Sequence, residues 1–229
     1  MTGTDRPLLR VEGISKTFVS RSGLRVPAVR GVSFDLYPGQ CVGLVGATGC
    51  GKSTIGRILA GLTPSDEGRI MYQSEDMNDR LDPAFHKAIQ LVFQDPYSAL
   101  YPHLRVQQYL REAIRLHALC PPGEEDDLIT HLLERVGLPA EYAGKYPDEL
   151  SGGERQRVQI ARAVGIQPKL LICDESVSGL DVSVQARILG LLREICNQSG
   201  LAILFISHDL AVVRCIADDL LVMDQGRIV

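Results

Sequence analysis

The chain lacks any uninterrupted apolar run near the roughly 18 residues needed to cross a bilayer. Its first seven residues are polar, not the charged-then-apolar form of a secretion signal, so no leader is expected. It also lacks a basic excess: a net charge of −4 over 229 residues gives no electrostatic footprint for nucleic acid. None of its six cysteines form a CxxC pair. Cys41 and Cys173 sit in apolar strand-like runs and Cys50 in a glycine-rich loop, so the set reads as reduced thiols of a cytosolic protein. There is no internal repeat, no low-complexity tract and no sustained heptad run, which excludes a solenoid, a disordered linker and a long coiled coil. What remains is ordinary for a globular protein: 45% apolar and 23% charged residues, with enough length to bury a sizeable core.

The strongest feature is GATGCGKST at residues 46–54. A short apolar run, 41–45, precedes it, and residues 55–62 with helical spacing follow. Strand, glycine-rich loop and helix are the setting of a phosphate-binding P-loop. Gly46, Gly49 and Gly51 let the backbone bend so that successive N–H groups face an anion. Ala47, Thr48, Cys50 and Thr54 complete the loop, and the following helix offers its free N-terminal amides. Lys52 suits the β- and γ-phosphates of a nucleotide, and the Ser53 hydroxyl suits Mg²⁺. The plainer alternative is a strand-to-helix turn.

Around this loop the chain alternates. Strands are expected at 8–18, 31–37, 69–73, 88–93, 169–173, 201–207 and 220–223, with a polar loop at 21–27 and another at 76–83. Helices are expected at 151–164, 182–196 and 209–217. Between 95 and 150 the character changes: apolar residues recur at helical spacing in 106–119 and 128–136, and prolines punctuate short helices. The acidic run 123–127 suits the start of a helix. The expected fold class is therefore α/β. A mostly parallel sheet is flanked by helices, its N-terminal β portion is antiparallel, and a helical subdomain is inserted at 95–150 into a core of 1–94 and 151–229.

Two further motifs carry chemistry. LLICDE at 170–175 ends a buried strand in two adjacent carboxylates, a poor core design unless they have work to do. At the carboxyl edge of a parallel sheet they would flank the P-loop. Asp174 then suits Mg²⁺, and Glu175 suits the orientation and deprotonation of an attacking water; the alternative is a pair that caps the next turn. LSGGE at 150–154 reads as a capping box between Ser151 and Glu154, and its Gly152 and Gly153 beside a helix start equally form an anion site.

The P-loop, LLICDE and LSGGE in this order resemble the ATP-binding subunit of an ABC transporter, a P-loop NTPase, over nearly the whole chain. The resemblance implies ATP and Mg²⁺ as ligands and a second ATP-binding subunit, identical or related, facing this one head to tail. Ser151, Gly152 and Gly153 would then close on an ATP held by the partner's P-loop. It implies contact of Phe18 with adenine, where a core aromatic is the plainer reading. It implies that Gln94 senses Mg²⁺ and the attacking water, where a solvated strand end is the alternative. Asp181 would lie on a loop crossing the dimer interface, and it also suits the N-cap of the next helix. His208 would contact the γ-phosphate, where a cap or surface histidine is commoner. Glu154 departs from the usual Gln, and is expected to turn back into the capping box.

A finer resemblance joins FQDPYSALYP at 93–102, DESVSGLDVSVQARIL at 174–189 and SHDLAVV at 207–213 to the branch importing oligopeptides, dipeptides and nickel. Tyr101 stands where that branch commonly has Asn, and the C-terminal extension frequent there is not seen. The implied setting is peripheral, on the cytoplasmic face of the membrane, bound to transmembrane permease subunits and indirectly served by a solute-binding protein, with no nucleic-acid partner. An ABC-type head acting in DNA repair or chromosome maintenance is the competing reading. Only about fifty residues separate Gln94 from Ser151, too few for the long coiled coil of such heads. A nucleotide-dependent scaffold without turnover is a third, against which Glu175 speaks.

Overall fold

The computed structural model describes residues 6–77, 83–93, 95 and 100–229. Two sheets organise them. Strands β1 (Leu9–Val19), β2 (Arg25–Leu36), β4 (Glu67–Tyr72) and β5 (Glu75–Asp76) form an antiparallel sheet in the order β2-β1-β4-β5. Strands β3 (Cys41–Gly46), β6 (Ile89–Val92), β7 (Leu170–Asp174), β8 (Ala202–Ser207), β9 (Asp219–Asp224) and β10 (Arg227–Ile228) form the second, in the order β10-β9-β3-β8-β7-β6. All its pairings are parallel except β9 with β10. The helices are α1 (Lys52–Leu59), α2 (Pro83–Ala88), α3 (Val106–Leu116), α4 (Glu125–Arg135), α5 (Gly152–Gly165), α6 (Val182–Ser199) and α7 (Leu210–Arg214).

The central parallel strands are apolar nearly throughout because both faces are covered, and β7 and β8 turn polar only at their carboxyl ends, at Asp174 and Ser207. The period-two alternation decides which cover each side chain meets. Leu171, Cys173, Ile203 and Phe205 pack with α3, α4, α5 and α6 in one cluster. Leu170, Ile172, Leu204 and Ile206 pack with α1 and the antiparallel sheet in another. The helices of the 95–150 stretch join the first cluster through Leu110, Ile114, Ile129 and Leu133. Helix α4 starts on Glu125, Asp126 and Asp127, the carboxylates that favour a helix N-terminus.

Several boundaries differ from the sequence reading. β2 begins at Arg25, inside the stretch read as loop; it is an edge strand, where Pro27 costs no interior ladder bond. Its first three residues, Arg25, Val26 and Pro27, are all exposed, so no apolar alternation marks its start. Helix α2 falls between the stretches read as loop and strand, overlapping each by one residue; six residues are too few to show a helical period. Helix α7 is five residues long and capped by Asp209, whose Oδ1 accepts the Ala211 N–H at 2.8 Å. Strand β10 escaped notice at two residues. All six cysteines are free thiols. Among the described residues no helix is long and apolar enough to cross a membrane.

Candidate functional site

The carboxyl ends of β3, β7 and β8 meet at one edge of the parallel sheet, where β3 is inserted between β8 and β9 out of chain order. Such a switch point leaves a crevice. The turn from β3 into α1 fills it. Gly51 holds φ +112 at the N-cap of α1 and Gly49 holds φ +81. Sterics leave no choice at Gly51: a Cβ there would lie 2.1 Å from the Ala28 carbonyl oxygen. Lys52 is 4% exposed, and its ammonium donates back to the carbonyls of Gly46 at 2.8 Å and Ala47 at 3.0 Å. The Cys50 side chain is buried beneath the loop.

From β7, Asp174 faces this turn. Ser53 Oγ donates to Asp174 Oδ1 at 2.9 Å. Burial pushes the Asp174 carboxyl above its ordinary range; the Ser53 hydrogen bond pulls it down, neighbouring Glu175 pushes it up, and Arg57 and Lys52 pull it down. Glu175 leaves the strand at φ +47, a left-handed conformation uncommon for a side-chain-bearing residue. Adjacent strand residues point to opposite faces. The left-handed step breaks that rule, so both carboxylates serve one edge. Glu175 Oε1 lies 3.1 Å from His208 Nδ1, which follows β8.

Phe18, Ala28, Thr48, Gly49, Gly51, Lys52, Ser53, Thr54, Glu175 and His208 line one open cleft of about 450 Å³. Phe18 is 45% exposed on the wall of this cleft, so it is not a core aromatic. Ala28 had no sequence signal; it lies just past the stretch read as loop. Gln94 lies outside the described residues.

Ser151, Gly152, Gly153 and Asp181 do not line that cleft. Ser151, Gly152 and Gly153 start α5, and Asp181 starts α6, whose first turn lies against Gly153 through Val184. The capping box forms as expected: the Ser151 N–H and Oγ each donate to Glu154 Oε2 at 2.8 Å. Tyr142 donates to the other carboxylate oxygen at 2.7 Å. Burial works to raise the Glu154 carboxyl, but the hydrogen bonds from Tyr142 and Ser151 outweigh it and hold the group below its ordinary range. Asp181 occupies the N-cap of α6, but its side chain makes no capping hydrogen bond. Gly153 lies beside it, its vacant Cβ direction 3.4 Å from Leu180.

A glycine-rich cradle at the carboxyl edge of a parallel sheet, faced by a hydroxyl–carboxylate couple and accompanied by a separate serine-glycine helix start, defines a nucleotide-binding cassette. The family model described as ABC transporter matches residues 29–178, and the chain belongs to that family. Among its relatives, the glutathione import ATP-binding protein GsiA of Pectobacterium atrosepticum is 46% identical over 232 residues, covering 97% of this chain and 37% of GsiA. The oligopeptide transport ATP-binding protein AppF of Bacillus subtilis is 43% identical over 230 residues, covering 96% of this chain and 70% of AppF. The chain therefore spans little more than a third of the GsiA length. Among solved structures, the dimeric post-hydrolysis state of the ATP-binding cassette MJ0796 bound to ADP and Pi superposes with a TM-score of 0.87 at 26% identity over 96% of both chains. The cbiO1 protein of Clostridium perfringens, part of the complex cbiONQ, superposes with a TM-score of 0.83 at 28% identity, over 97% of this chain and 87% of that one.

Proposed function

We propose that the chain binds and hydrolyses ATP with Mg²⁺ to power an importer of peptides or peptide-like solutes, nickel being the other cargo class of the branch. The observation that carries this is the convergence of Lys52, Ser53, Asp174, Glu175 and His208 on one crevice from separate segments of the chain. The donor set fits Mg²⁺: Ser53 and Asp174 offer hard oxygens 2.9 Å apart, and the buried Asp174 carboxylate calls for a counter-cation. Gly46 and Gly51 let the loop fold tightly against its own neighbours, since a Cβ at either would strike the carbonyl oxygen of Met223 or Ala28, and the compact glycine-rich turn suits a triphosphate. Mg²⁺, when bound there, would neutralise phosphate charge.

The protein groups divide the remaining work. Lys52 exchanges its carbonyl partners for phosphate oxygens. Glu175 orients a water and takes its proton, and His208 holds the Glu175 carboxylate toward the cleft. Phe18 offers its exposed face to the base. Gln94 adds a polar contact to water and cation. Ser151, Gly152, Gly153 and Asp181 lie away from this cleft and serve a nucleotide held by a second cassette, identical or related. The helices of residues 95–150 form a subdomain that passes the closure to permease subunits at the cytoplasmic face of the membrane, where a solute-binding protein delivers cargo. The relatives above are named as import and transport ATP-binding proteins, which favours transport over the DNA-repair alternative.

The test is phosphate release by the purified chain. ATP with Mg²⁺ should support turnover, and both EDTA and Lys52→Ala should abolish it. Turnover that persists in Lys52→Ala would place the chemistry elsewhere.

A further inference from the structure

The phosphate cradle leans on the last hairpin of the chain as well as on its own strand and helix. Strand β9 brings Met223 opposite Gly46. A Cβ on Gly46 would lie 2.2 Å from the Met223 carbonyl oxygen, and one on Gly51 would lie 2.7 Å from Met223 Cε. In the β9–β10 turn, Gly226 at φ +84 donates its N–H to the Cys50 carbonyl at 3.0 Å and accepts the Arg30 N–H at 2.8 Å. The Cys50 carbonyl and the Gly51 N–H belong to one planar trans peptide, so they point in opposite directions. Holding that carbonyl toward the hairpin turns the Gly51 N–H away from it, and Gly51 itself lines the cleft.

We infer that the β9–β10 turn is a positioning element of the triphosphate site: the Gly226 N–H fixes the Cys50–Gly51 peptide and thereby aims the Gly51 N–H at phosphate. This rests on the reading of residues 46–54 as that site. Met223 seats the two glycines that flank the loop, and Gly226 sets the peptide between them. A donor held in place before binding costs no reorganisation on binding, so the effect falls on nucleotide affinity.

The test removes one hydrogen. Cys215 permits ligation of a synthetic segment 215–229 to a thioester of residues 1–214, giving the full chain. Glycolic acid at position 226 replaces the Gly226 N–H by an ester oxygen. Against the all-amide chain made by the same ligation, the ester chain should bind ATP about tenfold more weakly, with kcat changed less than twofold. Gly226→Ala, strained at its positive φ and 3.1 Å from the Ala28 carbonyl oxygen, should show the same split between KM and kcat. A destabilised control in the helical block, Ile129→Ala, should lose thermal stability at unchanged affinity. Affinity within twofold in the ester chain, or an equal affinity loss in Ile129→Ala, would overturn the inference. An all-amide chain that fails to bind ATP would instead overturn the assignment of the site itself.

Discussion

The two glycine-bearing helix starts of this molecule are built to different rules. At the start of α1 the glycines are demanded from inside the chain. Gly51 holds a left-handed conformation and its missing Cβ leaves room for the Ala28 carbonyl, while Gly46 abuts Met223. At the start of α5 nothing inside the chain demands them. Gly152 has no atom within 4 Å of its vacant Cβ direction, and neither Gly152 nor Gly153 has a positive φ. The capping box that starts this helix needs only Ser151 and Glu154. The first cradle explains itself by its own neighbours. The second makes sense if something approaches it from outside, a role that falls to a nucleotide on a second cassette.

This contrast can be broken or sharpened by substitution. The largest effect is expected from Glu175→Gln, which should lower turnover by about 10²–10⁴-fold while ATP affinity, read by equilibrium binding, stays within a few-fold. Next come the paired alanine substitutions. Gly51→Ala should cost about 3 kcal/mol of stability and abolish nucleotide binding, since backbone must move to admit the methyl group. Gly152→Ala should leave the melting temperature within about 1 °C and monomer affinity intact. It should nevertheless cut turnover at least about tenfold, because a methyl group in that open space would hold an approaching phosphate off the helix amides, a loss of about 1.4 kcal/mol of transition-state binding. If Gly152→Ala melts early, the second cradle is an internal packing feature after all.

Asp174→Asn should raise the melting temperature of the nucleotide-free chain by a few degrees at neutral pH while removing hydrolysis. The sign follows from the raised folded-state pKa: ionising the buried carboxyl costs stability above its unfolded pKa, and the cost fades as pH falls toward that value. The stabilisation should therefore shrink on acidification; a gain that grows instead would refute the desolvation argument. The smallest effect is Glu154→Gln, which keeps the capping box but gives up charge-assisted bonds. A loss of about 0.5 kcal/mol is expected above the usual carboxylate range, vanishing as pH falls through it, where the lowered Glu154 pKa ceases to contribute.

Much of this architecture was legible beforehand because it follows from local rules. The buried strands announce themselves by unbroken apolar runs, and the phosphate loop by its glycine and lysine-serine spacing. The pairing of Ser53 with Asp174, 121 positions apart, followed from placing both motifs at the carboxyl edge of one parallel sheet. The left-handed turn at Glu175 was not legible, since nothing in the residue type marks it; it comes just where the ladder to β8 makes its last bond, from the Glu175 N–H to the Ile206 carbonyl at 2.9 Å. Ala28 was equally silent, and Gly226 read as a turn residue with nothing to tie it to the phosphate loop. They act through backbone atoms, which any residue carries. The start of β2 was hidden by its exposure, and α2 by its brevity.

The central claim is that one nucleotide is gripped by the lysine cradle of one cassette and the serine-glycine tip of another. The most direct measurement is the molar mass in solution of the Glu175→Gln chain saturated with Mg²⁺-ATP, alone and mixed with a related cassette. A mass of two cassettes that depends on ATP, in either sample, is predicted. ATP-loaded single cassettes in both samples would contradict it.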